Sequence, residues 1–460
     1  MYKLEFTLKQ HTPIIHFQHN QKGATLRATE VKPKLDRFII EKMNVDGKTI
    51  PKGWFIGEHE ALDYKINITG NADNYEKIEN DHTNSPMYFG NMGNENPPKH
   101  LKFSEILEGT TFSKHFDLCK EISKHIADFF FLNNFGSRQS KGYGSFSIEK
   151  YTMNAEEWIF PEVDTTKYLN IEFAKIAESD LKKKYILPFR KIDWFYRSLR
   201  SGINYKGLYF KSALFMYLYY QKKTQWDKKT IKAQYFNNID QSLIEFNKKK
   251  QKNISVNIHY QKTQSTNHNN PDILINPTFQ NNQLELKLWR DLFGLSTEES
   301  WYSYRASITK KEAFKDVKGR WKAVNKKDTK IERFESPITF KPILKDNIMT
   351  VYLIVNQSLV EDLIKNKFKM LIEIKHKELK YIENGVFKFD DTLKGFDKSS
   401  LVLSFPDNFD FSEFLKFAIS IDVSKHIKMP KEPDNELIKI KNSLVSIYSE
   451  LRNQLNSLYL

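Results

Sequence analysis

A glycine-rich, basic stretch from Phe135 to Ile148, FGSRQSKGYGSFSI, contains the residue types that hold phosphate groups. Glycine lacks Cβ, which leaves neighbouring backbone N–H groups accessible to an anion. The arginine and lysine of the stretch can reach phosphate oxygens, and its tyrosine can stack on a base. An ordinary glycine turn closed by solvated charges is the alternative interpretation. The residues predicted to bind here are Gly136, Arg138, Lys141, Gly142, Tyr143 and Gly144.

A second candidate is the basic run 305–333, in which eleven Lys or Arg residues stand against four acidic ones. Its net +7 is nearly half of the +15 of the whole chain. Cations interleaved with planar rings suit the backbone and bases of single-stranded nucleic acid. The interleaved rings are Tyr302, Tyr304, Phe314 and Trp321, and the predicted binding residues are Arg305, Lys310, Lys311, Arg320, Trp321 and Lys322. A solvated helix face with i,i+4 pairs such as Asp316–Arg320 is the alternative.

Acid–base chemistry would need a histidine or a carboxylate near the N-terminus, and few are present. The candidate general bases are His11, His16 and His19. The HFQH spacing lacks companion Cys, Asp or Glu ligands at recognisable distances, so we predict no metal site and no cofactor. Asp36 in KPKLDRF is better explained as a helix-surface residue paired with Lys34 or Arg37. We therefore predict no catalytic residue.

The elements around the glycine stretch show what kind of loop it is. Apolar residues recur every three or four positions over 117–132, which predicts an amphipathic helix. After the glycines, Phe146 and Ile148 alternate with polar residues, which predicts a strand. The order helix, glycines, strand is the reverse of a dinucleotide-binding fingerprint. A Rossmann-type site is therefore excluded.

Other periodic segments predict a β-strand at the start and helices in the middle. Leu4, Phe6 and Leu8 fall on one side of a strand over 3–10. Helically spaced apolar residues over 183–245 predict a helical segment, in which Trp194 belongs to a core and not to a base-stacking site. Residues 246–283 are rich in Asn, Gln and Lys, which is typical of a flexible polar loop or linker.

The C-terminal residues 434–460 predict an amphipathic helix that Asp434 can cap. Its apolar stripe is Leu437, Ile440, Leu444, Tyr448, Leu451, Leu455 and Leu458. A helix of about 25 residues is ~38 Å long, so part of the stripe can protrude and pack on another subunit. Packing onto its own chain, for example on the helical middle, is the alternative.

Composition limits the class of protein. The 460 residues, 40% of them hydrophobic, are enough for two or three domains, and the charge of +15 favours a polyanionic partner such as nucleic acid. The single cysteine, Cys119, allows neither a disulfide framework nor a thiolate metal cluster and fits a reducing cytoplasm. The longest apolar run, 213–220, is far short of the ~20 residues that span a bilayer, so we expect a soluble, cytoplasmic protein without a membrane partner.

Three segments in the same order resemble the RAMP superfamily of CRISPR-associated RNA-binding proteins. They are Gly23–Arg37, in which Pro33 departs from the usual glycine, Met87–Ile106, and the glycine stretch. Phe293-Gly294 and RFESPITFKPI, Arg333–Ile343, look like a weaker copy of the pattern, which suggests an internal duplication. Within the superfamily, the length and the Arg-x-x-Ser-Pro run are most similar to the first subunit of type III-B (Cmr) effector complexes.

The resemblance implies an α+β fold with two ferredoxin-like (RRM-related) domains, helical insertions and a C-terminal helix. We expect an N-terminal RAMP domain over 1–165, the helical segment over 183–245, the polar loop over 246–283, a divergent second RAMP-like domain over 284–430 and the helix over 434–460. The early segment of the family lies over the same sheet face as the glycine loop. It adds Arg27, Lys32, Lys34 and Arg37 to the predicted RNA-binding residues.

The implied function is that of a non-catalytic RNA-binding subunit of a type III CRISPR–Cas effector complex in antiviral defence. Its partners would be guide RNA, target RNA or both, together with other subunits. The alternative is a metal-independent endoribonuclease that processes guide RNA with an N-terminal histidine. In those enzymes the glycine loop lies close to the C-terminus, whereas here it ends near residue 144. Relatives that cleave target RNA use an early aspartate, for which Asp36 is the only candidate besides Glu30.

Overall fold

The computed structural model divides the chain into two compact units. Unit 1 consists of Met1–Asp193, Ile338–Ile354 and Asn453–Leu460, and unit 2 of Trp194–Pro337 and Val355–Arg452. The residues that the structure describes are 1–15, 25–57, 61–70, 75–79, 100–154, 156–157, 162–173, 181–224, 228, 231, 287–295, 297–301, 306–325, 327–331, 334–383, 386–395 and 401–458.

Strands and helices are mixed along the chain. The strands are β1 (Tyr2–Gln10), β2 (Tyr64–Gly70), β3 (Tyr75–Glu79), β4 (His100–Ser104), β5 (Ile106–Ser113), β6 (Phe146–Met153), β7 (Glu156–Glu157), β8 (Asn170–Phe173), β9 (Ile203–Tyr205), β10 (Leu208–Phe210), β11 (Glu298–Trp301), β12 (Ala306–Lys315), β13 (Trp321–Ala323), β14 (Ile338–Lys345), β15 (Ile348–Val355), β16 (Lys369–Glu383), β17 (Val386–Gly395) and β18 (Leu401–Ser404). The helices are α1 (Ala28–Val45), α2 (Phe116–Leu132), α3 (Leu181–Arg200), α4 (Ala213–Tyr217), α5 (Gln357–Lys365), α6 (Phe411–Ser420), α7 (Val423–His426) and α8 (Asn435–Leu458).

Unit 1 is built on an antiparallel sheet in the order β2-β5-β1-β6-β7. α1 follows β1, and α2 joins β5 to β6. The main elements therefore follow each other as β1-α1-β2-β5-α2-β6, with the first and last of these strands adjacent in the sheet. A second sheet of the unit has the order β14-β15-β8, and β3 pairs with β4.

One hydrophobic core holds the sheet and helices of unit 1. Leu4, Phe6 and Leu8 of β1 are buried, as their alternation predicted. They belong to the same cluster as the apolar stripes of α1 and α2, including Leu35 and Ile122. Each fully buried side chain of this kind contributes about 1.5–3 kcal/mol. The predicted helix over 117–132 and the strand after the glycines are confirmed by α2 and β6.

Unit 2 contains a sheet in the order β11-β12-β16-β17, with β13 paired to β12 and β18 to β16. Polar side chains cap the first turns of α4 and α6: the Ser212 side chain accepts the N–H of Phe215, and the Asp410 carboxylate accepts the N–H groups of Ser412 and Glu413. The prediction of a helical segment is wrong at residues 203–210, where β9 and β10 pair antiparallel as a short hairpin. Leu208 is buried in this hairpin, whereas the buried residues Phe195, Leu199, Leu214 and Phe215 lie in α3 and α4. Trp194 is only half-buried, with the Arg197 guanidinium 4.5 Å from its ring centroid.

The C-terminal helix α8 starts where the sequence predicts, because Asp434 Oδ1 accepts the N–H of Leu437 at 2.9 Å. Its stripe is buried within the chain from Leu437 to Leu451. In unit 2, the Tyr448 hydroxyl lies 2.9 Å from the Ser198 hydroxyl, and its ring packs edge-on against Phe195. From Leu437 to Leu451 the helix therefore packs on its own chain, as the alternative interpretation predicts, and the expected protrusion does not occur over these residues.

The expected α+β class is confirmed by this mixture of helices and antiparallel sheets. The predicted domain limits stay a prediction, and the predicted polar loop 246–283 lies outside the described residues. Among the described helices, none is long and apolar enough to cross a membrane.

Candidate nucleic-acid interface

The glycine loop of unit 1 connects α2 to β6 through a tight turn. Its glycines are required by backbone geometry, since Gly136, Gly142 and Gly144 have φ values of +79°, +90° and +65°. A Cβ on Gly142 would lie 2.8 Å from Cγ of Pro342, and one on Gly144 would collide with the Phe135 carbonyl. These residues are therefore glycines because the loop is closely packed.

The backbone N–H groups of the three glycines already donate to partners within unit 1. Gly136 N donates to Glu30 Oε1 at 2.7 Å, which ties the loop to the first turn of α1. Gly142 N donates to the Gln139 carbonyl at 3.1 Å, and Gly144 N to the Pro13 carbonyl at 2.9 Å. The expectation that glycine N–H groups cradle a phosphate is wrong for this conformation, because these donors are used to close the loop.

Tyr143 is also not available as a stacking surface. Its side chain is buried and lies parallel to the ring of Phe189, with 4.0 Å between ring centroids and 10° between planes. The expected stacking on a base is therefore wrong for this ring, because Phe189 of α3 covers its face. No local pattern in the sequence indicates this pair, because the two residues are far apart in the chain.

The two cations of the loop are half-buried. Arg138 has the left-handed φ of +56° that only a few per cent of non-glycine residues adopt. Burial lowers the pKa of its guanidinium, and the charges of Tyr143 and Asp193 oppose that change. Lys141 closes a short 3₁₀ turn over Gln139–Lys141 through its N–H to the Arg138 carbonyl. Both residues are therefore held by the folded loop, with part of each exposed.

The structure brings α1 and the glycine loop together, as the resemblance implies. Lys34 Nζ donates to Gln139 Oε1 at 2.6 Å and to the Asn134 carbonyl at 3.3 Å. It also lies 5.1 Å from the ring centroid of Phe135. Arg37 is exposed, and its Nε donates to the Pro33 carbonyl one turn earlier. Arg27 is half-buried immediately before the first residue of α1.

The Lys32 amine makes contacts within the folded chain. Its Nζ lies 2.8 Å from Asp36 Oδ2, 2.9 Å from the Leu62 carbonyl and 4.2 Å from the ring centroid of Tyr64. Asp36 is buried, so the expectation of a helix-surface residue paired with Lys34 or Arg37 is wrong. It faces inward and pairs one turn earlier in α1. Lys32 neutralises this buried carboxylate, which makes it unsuitable as a phosphate contact.

His11 is held as a neutral core residue. Its Nδ1 accepts the N–H of Leu344 at 3.0 Å, so its Nε2 carries the proton and donates to the Ser147 hydroxyl at 2.7 Å. Burial lowers the pKa of His11 to about 3, and the charges of Lys341 and Lys9 also lower it. A base with this pKa and no open nitrogen does not suit general base catalysis at neutral pH. His16 and His19 lie outside the described residues.

The basic run of unit 2 forms a β-hairpin, so the alternative of a helix face is wrong. β12 and β13 pair antiparallel, with Phe314 opposite Lys322 and Lys315 opposite Trp321. The turn between them follows a known signature, with Asp316 at its first position and Gly319 in the left-handed region at φ +73°. Asp316 N donates to the Arg320 carbonyl at 2.9 Å. We call residues 311–322 the basic hairpin.

The basic hairpin carries exposed cations around two aromatic residues. The side chains of Arg320 and Lys322 are 65% and 55% exposed, although both pair with Asp316. Lys311 is exposed and lies 2.8 Å from Glu373. The other exposed cations of the hairpin are Lys315 and Lys318. Lys315, Lys318 and Phe314 were not among the predicted binding residues, but the Asp-x-x-Gly turn at 316–319 is a sequence signal for the hairpin that presents them.

Lys310 differs from its neighbours because it points into the unit. It is buried, with its Nζ 2.6 Å from Asp291 Oδ2 and 2.5 Å from Glu299 Oε1. The expectation that Lys310 binds nucleic acid is wrong, since its charge is needed by two carboxylates inside unit 2. Arg305, Tyr302 and Tyr304 lie outside the described residues.

The described residues contain neither a cluster of metal ligands nor an exposed cysteine. No group of three or more His, Cys, Asp or Glu side chains among these residues could hold a metal ion. Cys119 is buried in the core of unit 1, and burial raises the pKa of its thiol.

The β-α-β-β-α-β order of unit 1 and its glycine loop are features expected of a RAMP protein. The sequence models of the Cmr1 N-terminal domain and the Cmr1 C-terminal domain match residues 1–203 and 209–445. The chain belongs to the Cmr1 family. The predicted resemblance to a CRISPR-associated RAMP protein of the Cmr type is thereby confirmed.

Solved structures give weaker similarities. A chain of the structure described as "Cryo-EM structure of the Type III-B Cmr-beta bound to cognate target RNA" is 13% identical, with a TM-score of 0.23. The crystal structure of apo Cmr1 from Pyrococcus furiosus is 12% identical, with a TM-score of 0.24. Each match covers 33% of this chain and only 60% or 50% of the other chain. No curated protein matches this chain.

Proposed function

We propose that the chain is a non-catalytic RNA-binding subunit of a type III CRISPR–Cas effector complex, contacting guide or target RNA in antiviral defence. Membership of the Cmr1 family supports the assignment to such a complex. The observation that carries RNA binding is the basic hairpin, where five Lys or Arg side chains stand against Glu312 and Asp316 beside exposed Phe314. Cations beside an accessible ring suit the backbone and bases of RNA.

The proposed fold behind this function is a pair of ferredoxin-like domains. In unit 1, the strand order β2-β5-β1-β6 with α1 and α2 between the strands supports a ferredoxin-like, RRM-related domain. Unit 2 is proposed as its divergent copy. In unit 1 the RNA surface would include the exposed side of α1 and the adjoining loop, and in unit 2 the basic hairpin. The proposed contacts are Arg27, Lys34, Arg37, Arg138, Lys141, Lys311, Arg320, Trp321 and Lys322.

The absence of catalysis is part of the proposal. The support is the environment of His11, whose two ring nitrogens are occupied and whose pKa is lowered to about 3 by burial. Cleavage by an assembled complex would then belong to other subunits, which are the proposed protein partners. A cytoplasmic location follows from the same assignment.

RNA binding by the basic hairpin can be tested with the full chain. We expect the triple variant Lys318→Gln, Arg320→Gln, Lys322→Gln to weaken binding of a single-stranded RNA roughly tenfold at low salt, because phosphate contacts release counterions. The slope of log Kd against log salt concentration should become shallower by about 0.7 for each phosphate that the variant no longer neutralises. Fluorescence anisotropy over a salt series measures both quantities.

The matched control is Lys425→Gln, Lys431→Gln, Lys439→Gln, which removes the same charge from exposed positions of unit 2. Net charge alone would change both triple variants equally. If the hairpin variant keeps the affinity and salt slope of the control, RNA binding by this hairpin is ruled out.

A further inference from the structure

The basic hairpin has two faces that differ in what covers their aromatic ring. Residues directly opposite each other in an antiparallel pair project to the same side. Phe314 therefore shares one face with Lys322, and Lys315 shares the other with Trp321. On the second face, Lys315 Nζ lies 5.2 Å from the ring centroid of Trp321, which is half-buried. The Trp321 ring is thus already partnered by a cation.

The Phe314 face is open. The Phe314 side chain is 46% exposed, and Val317 in the adjoining turn is fully exposed. Exposing a phenylalanine and a valine on a strand end and its turn forgoes the stabilisation that burial would give. These two residues form a small apolar surface at the end of the hairpin.

Asp316 organises the cations on this face. Its Oδ1 accepts the N–H groups of Lys318 and Arg320, each at 2.9 Å. Its Oδ2 lies 3.1 Å from Arg320 Nη2 and 3.4 Å from Lys322 Nζ. Both cations are therefore held at one point beside Phe314, while their side chains remain more than half exposed. The face consists of one accessible ring with two positioned cations.

We propose that the Phe314 face binds an unpaired RNA base, with Arg320 and Lys322 on the adjoining phosphates, so that the hairpin prefers single-stranded to double-stranded RNA. This inference rests on the proposed function. A ring stacks on the face of a base, and in a duplex those faces are covered by neighbouring bases. Phosphates are accessible in both forms, so the cations alone would not distinguish them. Stacking on Phe314 would therefore produce the preference for single-stranded over double-stranded RNA.

A protein partner fits this surface less well than a nucleotide. A stable protein–protein interface covers about 800 Å² on each side and has an apolar centre. Within the described residues of the hairpin, the exposed large apolar side chains are Phe314 and Val317, and exposed lysine side chains lie on both strands. One base with its flanking phosphates matches that size and charge.

The test compares single-stranded RNA with a blunt duplex of the same sequence and length, using the full chain. Phe314→Leu keeps apolar bulk and removes the ring. We expect it to weaken single-strand binding about tenfold, the cost of losing one base stack, and to leave duplex binding unchanged. The preference for single strands should therefore fall by the same factor. Phe116→Leu, which alters an exposed phenylalanine of unit 1, is the control and should retain the preference.

The outcomes separate this inference from the proposed function. If Lys318→Gln, Arg320→Gln, Lys322→Gln weakens RNA binding but Phe314→Leu does not alter the preference, the base contact is wrong and the phosphate contact stands. If neither variant differs from its control, both proposals fail at this hairpin. If Phe314→Leu leaves RNA affinity unchanged but reduces co-purification of partner proteins, the face is a protein-docking surface and the inference is overturned.

Discussion

At the scale of single residues, burial decides which charges this chain can use. Lys310 and Lys311 are adjacent in β12, but Lys310 is enclosed with Asp291 and Glu299 whereas Lys311 is exposed. Removing one member of a buried ion pair leaves an uncompensated charge, which costs several kcal/mol. A loss of RNA binding after mutation of Lys310 would therefore report on folding.

His11 makes a prediction about acid stability. Its folded pKa of about 3 lies below the ordinary 6.5, so between these values the unfolded chain binds a proton that the folded chain does not. The free energy of unfolding should therefore decrease as the pH falls through this window, by up to about 1.4 kcal/mol per pH unit. His11→Gln retains an acceptor and a donor and does not titrate.

Urea unfolding between pH 4.5 and 8 provides the measurement. We expect a shallower pH dependence for His11→Gln than for the wild type below pH 6.5, and the same dependence above pH 7, where histidine is neutral in both states. Identical curves over the whole range would show that His11 is not protected from protons in the folded chain.

At the scale of elements, β14 braces the glycine loop of unit 1. Lys341 Nζ donates to the carbonyls of Phe130, Asn133 and Phe146 at 2.7, 2.9 and 2.8 Å. Phe130 and Asn133 lie at the end of α2, where carbonyls lack helical partners and a positive charge is favourable. Burial lowers the pKa of Lys341. One side chain from β14 thus fixes both ends of the loop.

Replacing this lysine tests the brace. We expect Lys341→Met to lower the stability of unit 1 by about 3 kcal/mol, because buried carbonyls lose their donor. Backbone amides of residues 133–145 should then exchange hydrogen faster, as measured by mass spectrometry. Lys345→Met, at an exposed position of the same strand, should leave both properties unchanged. Equal exchange in the two variants would mean that the loop holds its conformation without Lys341.

At the scale of the whole molecule, the C-terminal helix contributes to the interior of the chain. Leu437, Ile440, Leu444, Ile447 and Leu451 are all buried. Arg452 Nη2 also donates to the Ile421 carbonyl at 2.6 Å, close to the end of α6. Removing α8 would uncover apolar surface on the remaining chain.

We therefore expect deletion of 434–460 to give an aggregation-prone protein, detected by size-exclusion chromatography and dye binding to exposed apolar surface. Leu444→Ala should lower the free energy of unfolding by about 3 kcal/mol, whereas Ile438→Ala, at an exposed position, should change it little. A soluble, monodisperse truncated protein that no longer joins the proposed effector complex would instead identify α8 as a partner contact.

Features that depend on neighbouring residues could be predicted from the amino-acid sequence. The alternation in β1, the stripe of α2 and the Asp434 cap are local patterns, and each predicted its element correctly. The order helix, glycines, strand is also a local pattern, and it sufficed to exclude a dinucleotide site. Motif order then indicated the RAMP superfamily, and the two Cmr1 domain matches agree with it.

The accessibility of the candidate residues, in contrast, depends on tertiary packing. The Gly136 N–H, Tyr143 and Lys32 have the right chemistry for RNA, but each already has a partner in the folded chain. These partners are Glu30, Phe189 and Asp36, respectively. Glu30 and Phe189 lie on elements other than the glycine loop, and Asp36 lies on the buried side of α1. Local sequence patterns do not show that these residues come into contact with the candidate residues. In β12, likewise, Lys310 is buried whereas Lys311 and Phe314 are exposed. Successive residues of a strand point to opposite sides, and only the packing of the sheet determines which side is buried.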